Sequence, residues 1–295
     1  MEEKRKTMHL RNKHAGRYDF DKLIEVFPGL KRFIVKNKFN GENTVDYSDP
    51  RAVKVLNRAL LAEFYGIAYW NLPKGALCPA VPGRADYIHY ISDLETREGG
   101  FCRDKCCHCL DVGVGSNCIY PIIGCVEYGW TFVGTDISEE ALINARKIAT
   151  SNPVLSHKID LRKQENSAFK FRNIIREGEY YDLTICNPPF HESQVAAQEE
   201  ASRKLNNLRG TGEKPNFAGV SNELWCDGGE YVFLRDMIRE SVDFKNQVGY
   251  FTTLVSKERN LKGLYKVLEE CGAVKVGTLE MIHGSKISRI LVWRY

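Results

Sequence analysis

From about residue 105 onward, the sequence alternates between short apolar segments typical of β-strands and longer segments with helical periodicity. Several of the strand segments are almost uninterrupted apolar runs, as parallel strands covered on both faces usually are. Strands that alternate with helices predict a doubly wound α/β sheet. The predicted strands are 106–112, 131–135, 157–162, 181–186, 247–254, 273–280 and 288–294, and the predicted helices are 117–127, 138–151, 167–176, 229–241 and 258–271.

The last two predicted strands are joined only by Met281 to Ile287, which is too short for a crossover helix. They are therefore expected to pair antiparallel. Seven strands that are mostly parallel and end in an antiparallel hairpin describe the Rossmann-like class I methyltransferase architecture. By analogy with that architecture, the expected strand order is 3-2-1-4-5-7-6.

The chain before this α/β region has helical segments joined by irregular links. Asp49-Pro50 is typical of an N-cap followed by proline at the first helical position. A further helix is expected to open at Gly83 to Tyr87, with Tyr87, Ile88 and Ile91 facing inward. We predict a basic, helical N-terminal extension over 1–85 and a methyltransferase domain over 86–295.

The charge balance is mildly basic, with 42 Lys and Arg against 38 Asp and Glu, and does not by itself identify a nucleic-acid partner. Basic clusters of this kind most often form solvated surface, and the clustered residues are Lys4, Arg5, Lys6, Arg11, Lys13, Arg17, Arg203, Lys204, Arg209 and Lys214. No apolar run approaches the ~20 residues of a membrane helix. The start of the chain lacks the apolar stretch of a secretory signal, so a cytoplasmic protein is expected.

Ten cysteines raise the question of a metal site, because four of them flank His108 in the segment Cys102 to Cys109. The spacing argues against a metal, since adjacent ligands in an extended segment point to opposite faces and no second pair follows at zinc-ribbon spacing. Cysteine also behaves as a small buried hydrophobe. The segment is interpreted as a buried strand, and no metal is expected.

A glycine turn, Asp111-Val112-Gly113-Val114-Gly115, ends the first predicted strand of the sheet. Glycines at such a turn let a cofactor approach the backbone, but Cys118 replaces the third glycine of a dinucleotide fingerprint. Asp111 suits the ammonium group of S-adenosylmethionine, directly or through water. Asp136 lies 21 residues after Gly115 (136 − 115), where an acid reaches the ribose of a nucleoside cofactor. An ordinary turn is the alternative, and the spacing of this second acid favours the cofactor.

The fourth predicted strand ends in Asn187-Pro188-Pro189-Phe190, beside the glycine turn if the sheet is parallel. An exocyclic aromatic amine is a poor nucleophile because its lone pair is delocalised into the ring. The Asn187 side-chain oxygen and the Pro188 carbonyl could accept both amine hydrogens and aim the lone pair at a methyl donor. Pro189 would make the backbone rigid, and Phe190 would stack on the base. A simple loop is the alternative interpretation.

Several segments make the sequence similar to the RlmF family, bacterial methyltransferases that modify an adenine amino group of large-subunit ribosomal RNA. Eukaryotic relatives of this family methylate a spliceosomal small nuclear RNA. The resemblance covers nearly the whole chain and is carried by His9–Asn12, Gly16–Phe20, Asn57–Leu61, Pro82–His89, Asn117–Pro121, Asn187–His191 and Glu223–Glu230.

The resemblance implies further roles for individual residues. Arg84 would contact the carboxylate of the cofactor, Asn117 would belong to the cofactor turn, and Asn166 would lie near the adenine of the cofactor. The N-terminal basic segment and the connection 191–228 would hold RNA, with Phe217 and Trp225 as candidate stacking partners. Burial of Trp225 in the core is an equally open interpretation, and Ser256-Lys257 could face either substrate or solvent.

These features predict an S-adenosylmethionine-dependent methyltransferase that acts on the N6 amine of a specific adenine in 23S ribosomal RNA, either as free RNA or in an assembling large ribosomal subunit. The same tetrad would also fit methylation of guanine N2 in ribosomal RNA or of glutamine N5 in a protein, and the basic arm favours RNA. A catalytically silent RNA-binding protein is a further alternative. The intact residues Asp111, Asp136 and Asn187 disfavour it, because a binding protein needs no methyl-donor pocket.

Overall fold

A computed structural model of the protein describes residues 8–38, 40–96, 99–189, 226, 228–283 and 286–295. The α-helices within these residues are α1 Phe20–Val26, α2 Pro50–Tyr65, α3 Val81–Ser92, α4 Ile119–Tyr128, α5 Glu139–Ser151, α6 Gly229–Ser241 and α7 Arg259–Glu270. The strands are β1 Ile34–Lys36, β2 Asn43–Val45, β3 His108–Val112, β4 Thr131–Asp136, β5 Ile159–Lys163, β6 Tyr181–Cys186, β7 Val248–Val255, β8 Lys275–His283 and β9 Lys286–Arg294.

Strands β3 to β9 form one seven-stranded sheet in the order β5-β4-β3-β6-β7-β9-β8. Counted from the first strand of this sheet, that order is 3-2-1-4-5-7-6, so the predicted topology is confirmed. The strands from β5 to β7 pair in parallel, whereas β9 pairs antiparallel with both β7 and β8. The short strands β1 and β2 form a separate antiparallel pair near the N-terminus.

Both faces of the large sheet are covered, which explains the apolar runs in its strands. Neighbouring residues of β3 show this directly, because Cys109 packs into one core cluster and Leu110 into another. The cluster around Cys109 includes residues of α2 to α5, and the cluster around Leu110 includes residues of α6 and α7. In β7, all eight residues are buried.

The helices that precede the large sheet begin at recognisable sequence signals. The Asp49 side chain accepts a hydrogen bond from the Arg51 amide and caps α2, with Pro50 at the first position, as predicted. Helix α3 begins at Val81, two residues before the predicted start, because Pro82 fits the first helical turn. The boundary at residue 85 that we predict between extension and domain falls inside this helix.

The predicted helix over 167–176 is wrong. The backbone amides of Lys170, Phe171 and Arg172 donate instead to the carboxylate of Glu240 on α6, at 2.7, 3.0 and 2.7 Å. A distant carboxylate therefore takes amides that a continuing helix would use. The buried residues Phe171, Ile174 and Ile175 have helical spacing but form only a local turn.

An N-terminal segment, residues 9–12, binds to α3 and to Asp93 at its C-terminal end. The His9 amide and the Asn12 side chain both donate to Asp86 Oδ1, at 2.9 and 2.6 Å. The Arg11 guanidinium donates to Asp93 at 2.7 Å and to Ser92 at 2.8 Å. These hydrogen bonds hold residues 9–12 against α3. They also give Oδ1 of the buried Asp86 carboxylate the donors that a buried polar group needs.

Two buried histidines predict a loss of stability in mild acid. Burial lowers the pKa of His14 to about 4 and that of His89 to about 3, from an ordinary value of 6.5. The unfolded chain therefore takes up protons first, so the stability that the two neutral histidines contribute is complete above pH 6.5 and declines as the pH falls toward 4. In His14→Gln, we expect the part of this decline due to His14, on the order of 3 kcal/mol, to disappear.

This effect can be measured by urea unfolding between pH 7 and pH 4.5. The control is His157→Asn, because His157 is exposed and its left-handed backbone, with φ of 60°, tolerates asparagine. An identical pH dependence in wild type and His14→Gln would contradict the expectation.

Most of the cysteines are buried, among them Cys107, Cys109 and Cys118, whereas Cys106 is exposed. Among the described residues, His, Cys, Asp and Glu form no group that could hold a metal ion.

The helices of the described part are also too short or too polar to cross a membrane.

Candidate functional site

The carboxyl ends of β3, β4 and β6 meet at one cavity of about 320 Å³. Parallel strands place their ends at a common edge, and α/β proteins bind ligands there. The residues that line the cavity are Leu77, Val112, Gly113, Gly115, Asn117, Thr135, Asp136, Ile137, Gln164, Ser167, Phe169, Lys170, Cys186, Asn187, Pro189, Cys226 and Phe233.

The glycine turn after β3 is fixed to the end of β4. The amides of Gly113 and Val114 both donate to the Thr135 carbonyl, at 2.9 and 2.8 Å. Gly113 and Gly115 have φ of 81° and 63°, a left-handed backbone that residues with a side chain adopt with strain. The turn therefore presents backbone and no side chains to the cavity at these two positions.

Asp136 is the last residue of β4 and lines the cavity. One carboxylate oxygen accepts from the Gly115 amide at 3.0 Å, and the other accepts from the Ser138 amide at 2.9 Å. Burial raises the pKa of Asp136, and these backbone hydrogen bonds counteract part of the rise. Each oxygen keeps a lone pair, so the carboxylate can still accept hydrogen bonds from a pair of vicinal hydroxyls.

Asp111 is a fully buried carboxylate in β3, and it is not among the residues that line the cavity. Among the described residues, neither of its oxygens has a hydrogen-bond partner. Burial and the nearby Asp136 raise its pKa well above the ordinary value, while the guanidinium of Arg84 counteracts part of this rise. A buried carboxyl group without partners is costly, and a cationic ligand group that reached it would remove that cost.

The predicted amine-binding tetrad follows β6 directly. Asn187 and Pro189 are half-buried and line the cavity, and Pro188 is buried between them. Phe190, the predicted stacking residue, lies outside the described residues. The structure thus brings Asn187 to the same cavity as Gly113, Gly115 and Asp136.

Arg84 on α3 contacts the tetrad. Its Nη1 donates to Asn187 Oδ1 at 3.1 Å and to the Tyr120 hydroxyl at 2.9 Å. Because a guanidinium can only donate, this contact requires the oxygen of the Asn187 amide to face it. The oxygen has a second lone pair, which leaves one acceptor position for a substrate amine.

The two remaining predicted cofactor residues differ in position. Asn117 lines the cavity, and its Oδ1 accepts from the Ile119 amide at 3.1 Å at the start of α4. Asn166 is exposed and does not appear among the lining residues, although Gln164 and Ser167 on either side of it do. The Asn166 amide donates to Gln164 Oε1 at 3.1 Å, so it orients a side chain that does line the cavity.

Sequence reasoning missed the wall formed by Gln164, Phe169, Lys170 and Phe233. The Lys170 ammonium lies 4.7 Å from the centre of the Phe233 ring, and burial lowers its pKa. For Gln164, Phe169 and Lys170, the available signal is their position after the third strand of the sheet, and the helical spacing of 167–176 obscures it. Phe233 lies on α6, so this signal does not apply to it.

Of the residues predicted to hold RNA, those that the structure describes are engaged within the protein. Arg11 pairs with Asp93, Lys13 with Glu127 at 2.7 Å, and Arg17 with Glu42. The remaining predicted residues, Lys4, Arg5, Lys6, Arg203, Lys204, Arg209, Lys214, Phe217 and Trp225, lie outside the described residues.

The corner Ser256-Lys257 after β7 is held by a buried carboxylate. Glu230 on α6 accepts from the Ser256 amide at 2.6 Å, the Lys257 amide at 3.1 Å and the Asn260 side chain at 2.7 Å. The corner is therefore fixed in place beside the end of the sheet.

Comparisons with known proteins place this site in context. A family model described as RNA methyltransferase matches residues 2–295. Ribosomal RNA large subunit methyltransferase F of Bacteroides thetaiotaomicron is 51% identical and covers 99% of this chain and 98% of its own length. The solved catalytic domain of human METTL16 in complex with the MAT2A 3'UTR hairpin 1 has a TM-score of 0.82 and 30% identity, covering 98% of this chain and 96% of that chain. The N-terminal domain of human METTL16 in complex with SAH has a TM-score of 0.77 and 27% identity, covering 97% and 98%.

These likenesses extend over nearly the whole chain, as the resemblance to the RlmF family implied, and they confirm that resemblance together with the Rossmann-like fold. The chain therefore belongs to the RNA methyltransferase family.

Proposed function

We propose that the protein transfers a methyl group from S-adenosylmethionine to the N6 amine of a specific adenine in 23S ribosomal RNA. The observation that carries the proposal is the position of Asn187 and Pro189 on the same cavity as Gly113, Gly115 and Asp136. An amine-binding tetrad and a nucleoside-binding turn that share one cavity fit methyl transfer to a base. The relatives named ribosomal RNA large subunit methyltransferase F support the substrate.

The residues present fit the methyl donor. Asp111 would hold its ammonium group, because this buried carboxylate has no hydrogen-bond partner among the described residues. Asp136 would accept the ribose hydroxyls, and Arg84 would bind the carboxylate, since its described partners are the neutral groups of Tyr120 and Asn187. When bound, the donor supplies an electrophilic methyl group on a sulfonium.

The tetrad would prepare the target amine for attack. Asn187 Oδ1 and the Pro188 carbonyl accept the two amine hydrogens, which favours a pyramidal nitrogen with its lone pair directed into the cavity. No strong base is needed before attack, because the amine becomes acidic once it is methylated. The hydrogen bond from Arg84 fixes the orientation of the Asn187 side-chain amide, so its oxygen is in place to accept from the substrate amine and the site is preorganised.

The adenine must be unpaired or flipped out of its helix to enter a cavity of about 320 Å³. We place the RNA contacts on residues 1–85 and on the connection 191–228, and the methyltransferase domain over 86–295. A bacterial ribosomal RNA substrate implies a cytoplasmic protein.

The product identifies the reaction. Incubation with labelled S-adenosylmethionine and 23S ribosomal RNA transcribed without modifications, followed by digestion to nucleosides, is expected to place the label in N6-methyladenosine. Label in N2-methylguanosine would instead select the guanine reaction, and label only in an added protein substrate at glutamine would reject RNA as the substrate. A 16S transcript serves as the control RNA.

A further inference from the structure

The end of β6, from which the tetrad projects, is joined to its two neighbouring strands in different ways. Pairing with β3 continues to the last residue, with Val112 opposite Cys186. The register with β7 is given by Tyr181 opposite Val248 and Leu183 opposite Tyr250, and goes no further along β6. On this side, the Thr184 carbonyl and the Cys186 amide of β6 meet hydroxyl groups.

A chain of three hydrogen bonds begins and ends on β6. The Cys186 amide donates to the Tyr87 hydroxyl at 3.4 Å, the Tyr87 and Thr252 hydroxyls are 2.8 Å apart, and Thr252 Oγ1 donates to the Thr184 carbonyl at 2.5 Å. The Thr252 amide also donates to Thr184 Oγ1 at 3.2 Å. We refer to Tyr87, Thr184 and Thr252 as the hydroxyl relay.

The direction of this chain is fixed by proton count. Thr252 has one hydroxyl proton and gives it to the Thr184 carbonyl, so its oxygen must accept from Tyr87. Tyr87 therefore donates to Thr252 and accepts from the Cys186 amide. Burial raises the pKa of Tyr87 well above its ordinary value, which keeps the phenol protonated for this task. Bonds aligned in one direction polarise and strengthen one another.

The composition of the relay is informative because all three side chains are completely buried. Valine would fill the positions of Thr184 and Thr252 with the same volume, and phenylalanine would fill the position of Tyr87, without the cost of burying hydroxyls. Each relay hydroxyl instead has partners on the backbone of β6 or on another member of the relay. Such satisfied polar networks specify one geometry where apolar packing would allow several.

Helix α3 also binds Asn187, the residue that follows Cys186. Arg84 and Tyr87 are three residues apart on α3 and therefore share a face. Arg84 binds the side chain of Asn187, and Tyr87 binds the amide of Cys186. Cys186 and Asn187, two consecutive residues, are thus held from one face of α3.

We propose that Tyr87 and Thr252 are positioning residues that hold the end of β6 so that Asn187 and Pro188 present their acceptors to the target amine. This role rests on the proposed methyl transfer. Among the described residues, no hydrogen bond joins the relay to the glycine turn or to Asp136, so its loss should affect the chemical step and leave donor binding intact.

The test compares Tyr87→Phe and Thr252→Val with Tyr250→Phe in the full-length protein. Tyr250 is the matched control, because it is a buried tyrosine of β7 whose hydroxyl has no hydrogen-bond partner among the described residues. With labelled S-adenosylmethionine and the 23S transcript, we expect kcat to fall about tenfold in both relay variants. The KM values for donor and RNA should stay within about twofold of wild type, and Tyr250→Phe should match wild type.

Two further measurements separate positioning from general damage. Thr252→Ser keeps the hydroxyl and should restore kcat. Hydrogen exchange of the peptide that contains Cys186 should quicken in Tyr87→Phe and not in Tyr250→Phe. Unchanged kcat in both relay variants, or an equal loss of donor affinity, would overturn the relay. Failure of the wild-type protein to methylate adenine would overturn the proposed function and, with it, the catalytic role of the relay.

Discussion

Asn187→Ala is expected to lower methyl transfer to adenine by about 100- to 1,000-fold while donor affinity changes by less than about threefold. The expected size is that of removing one preorganised hydrogen-bonding group from a catalytic site. Donor affinity should persist because Asp111, Asp136 and the glycine turn form no hydrogen bond to the Asn187 side chain in the described structure. Arg84 does donate to that side chain, but the substitution leaves its guanidinium in place for the donor carboxylate. The measurements are single-turnover rates with saturating donor and calorimetric titration of S-adenosylhomocysteine.

A matched control is Asn144→Ala on α5. The Asn144 side chain also bonds to neighbouring carbonyls, those of Asn71 and Ser116, but it does not line the cavity. We expect a small stability loss and a normal rate. Full turnover by Asn187→Ala would show that the amine is bound elsewhere.

Asp111→Asn is expected to weaken donor binding by at least about 30-fold and, at the same time, to stabilise the ligand-free protein. Loss of a buried charge partner for the donor ammonium is worth about 2 kcal/mol or more. Without donor, the carboxyl group of Asp111 is buried with no described hydrogen-bond partner, so its ionisation opposes folding. An amide of the same shape removes that opposition, and we expect the midpoint of thermal unfolding to rise by a few degrees.

The pH dependence gives the sign of this effect. Because the folded-state pKa of Asp111 is raised, the folded protein binds the proton more tightly than the unfolded chain does. The destabilisation that ionised Asp111 causes is therefore absent below its ordinary pKa of 3.8 and grows as the pH rises through its raised folded-state pKa. The stabilisation by Asp111→Asn should grow in the same direction, and wild-type donor affinity should fall as Asp111 becomes protonated.

The surface variant Asp160→Asn is the control for Asp111→Asn, since Asp160 is exposed on β5. It should alter neither donor affinity nor the pH profile. Donor affinity of Asp111→Asn equal to that of wild type would remove Asp111 from the donor site.

The sequence predicted the large sheet well because its signals are local. Apolar runs, turn residues and the short link before β9 define each strand without knowledge of the others, and both ends of every strand of the sheet lie within three residues of the prediction. The segment 167–176 failed for the opposite reason. Its conformation depends on Glu240, which is about 70 residues away along the chain.

The residues of the candidate site also differ in whether the local sequence predicts their position. Gly113, Gly115, Asp136 and Asn187 follow strand ends, so parallel topology alone predicts that they converge. The contact between Arg84 and Asn187 spans 103 residues and depends on how α3 packs on the sheet. No spacing or periodicity in the sequence carries that information.

The attachment of residues 9–12 to α3 has a consequence for how this chain can be divided. Asp86 receives hydrogen bonds from His9 and Asn12, which lie more than 70 residues earlier in the chain. Arg84 and Tyr87 lie within one turn of Asp86 on the same helix. A shortened protein that starts at residue 86 would lack the first turn of this helix and the contacts that residues 9–12 make with it. The N-terminal extension therefore cannot be removed or replaced by itself. Chimeras that exchange it between homologues need to exchange α3 with it.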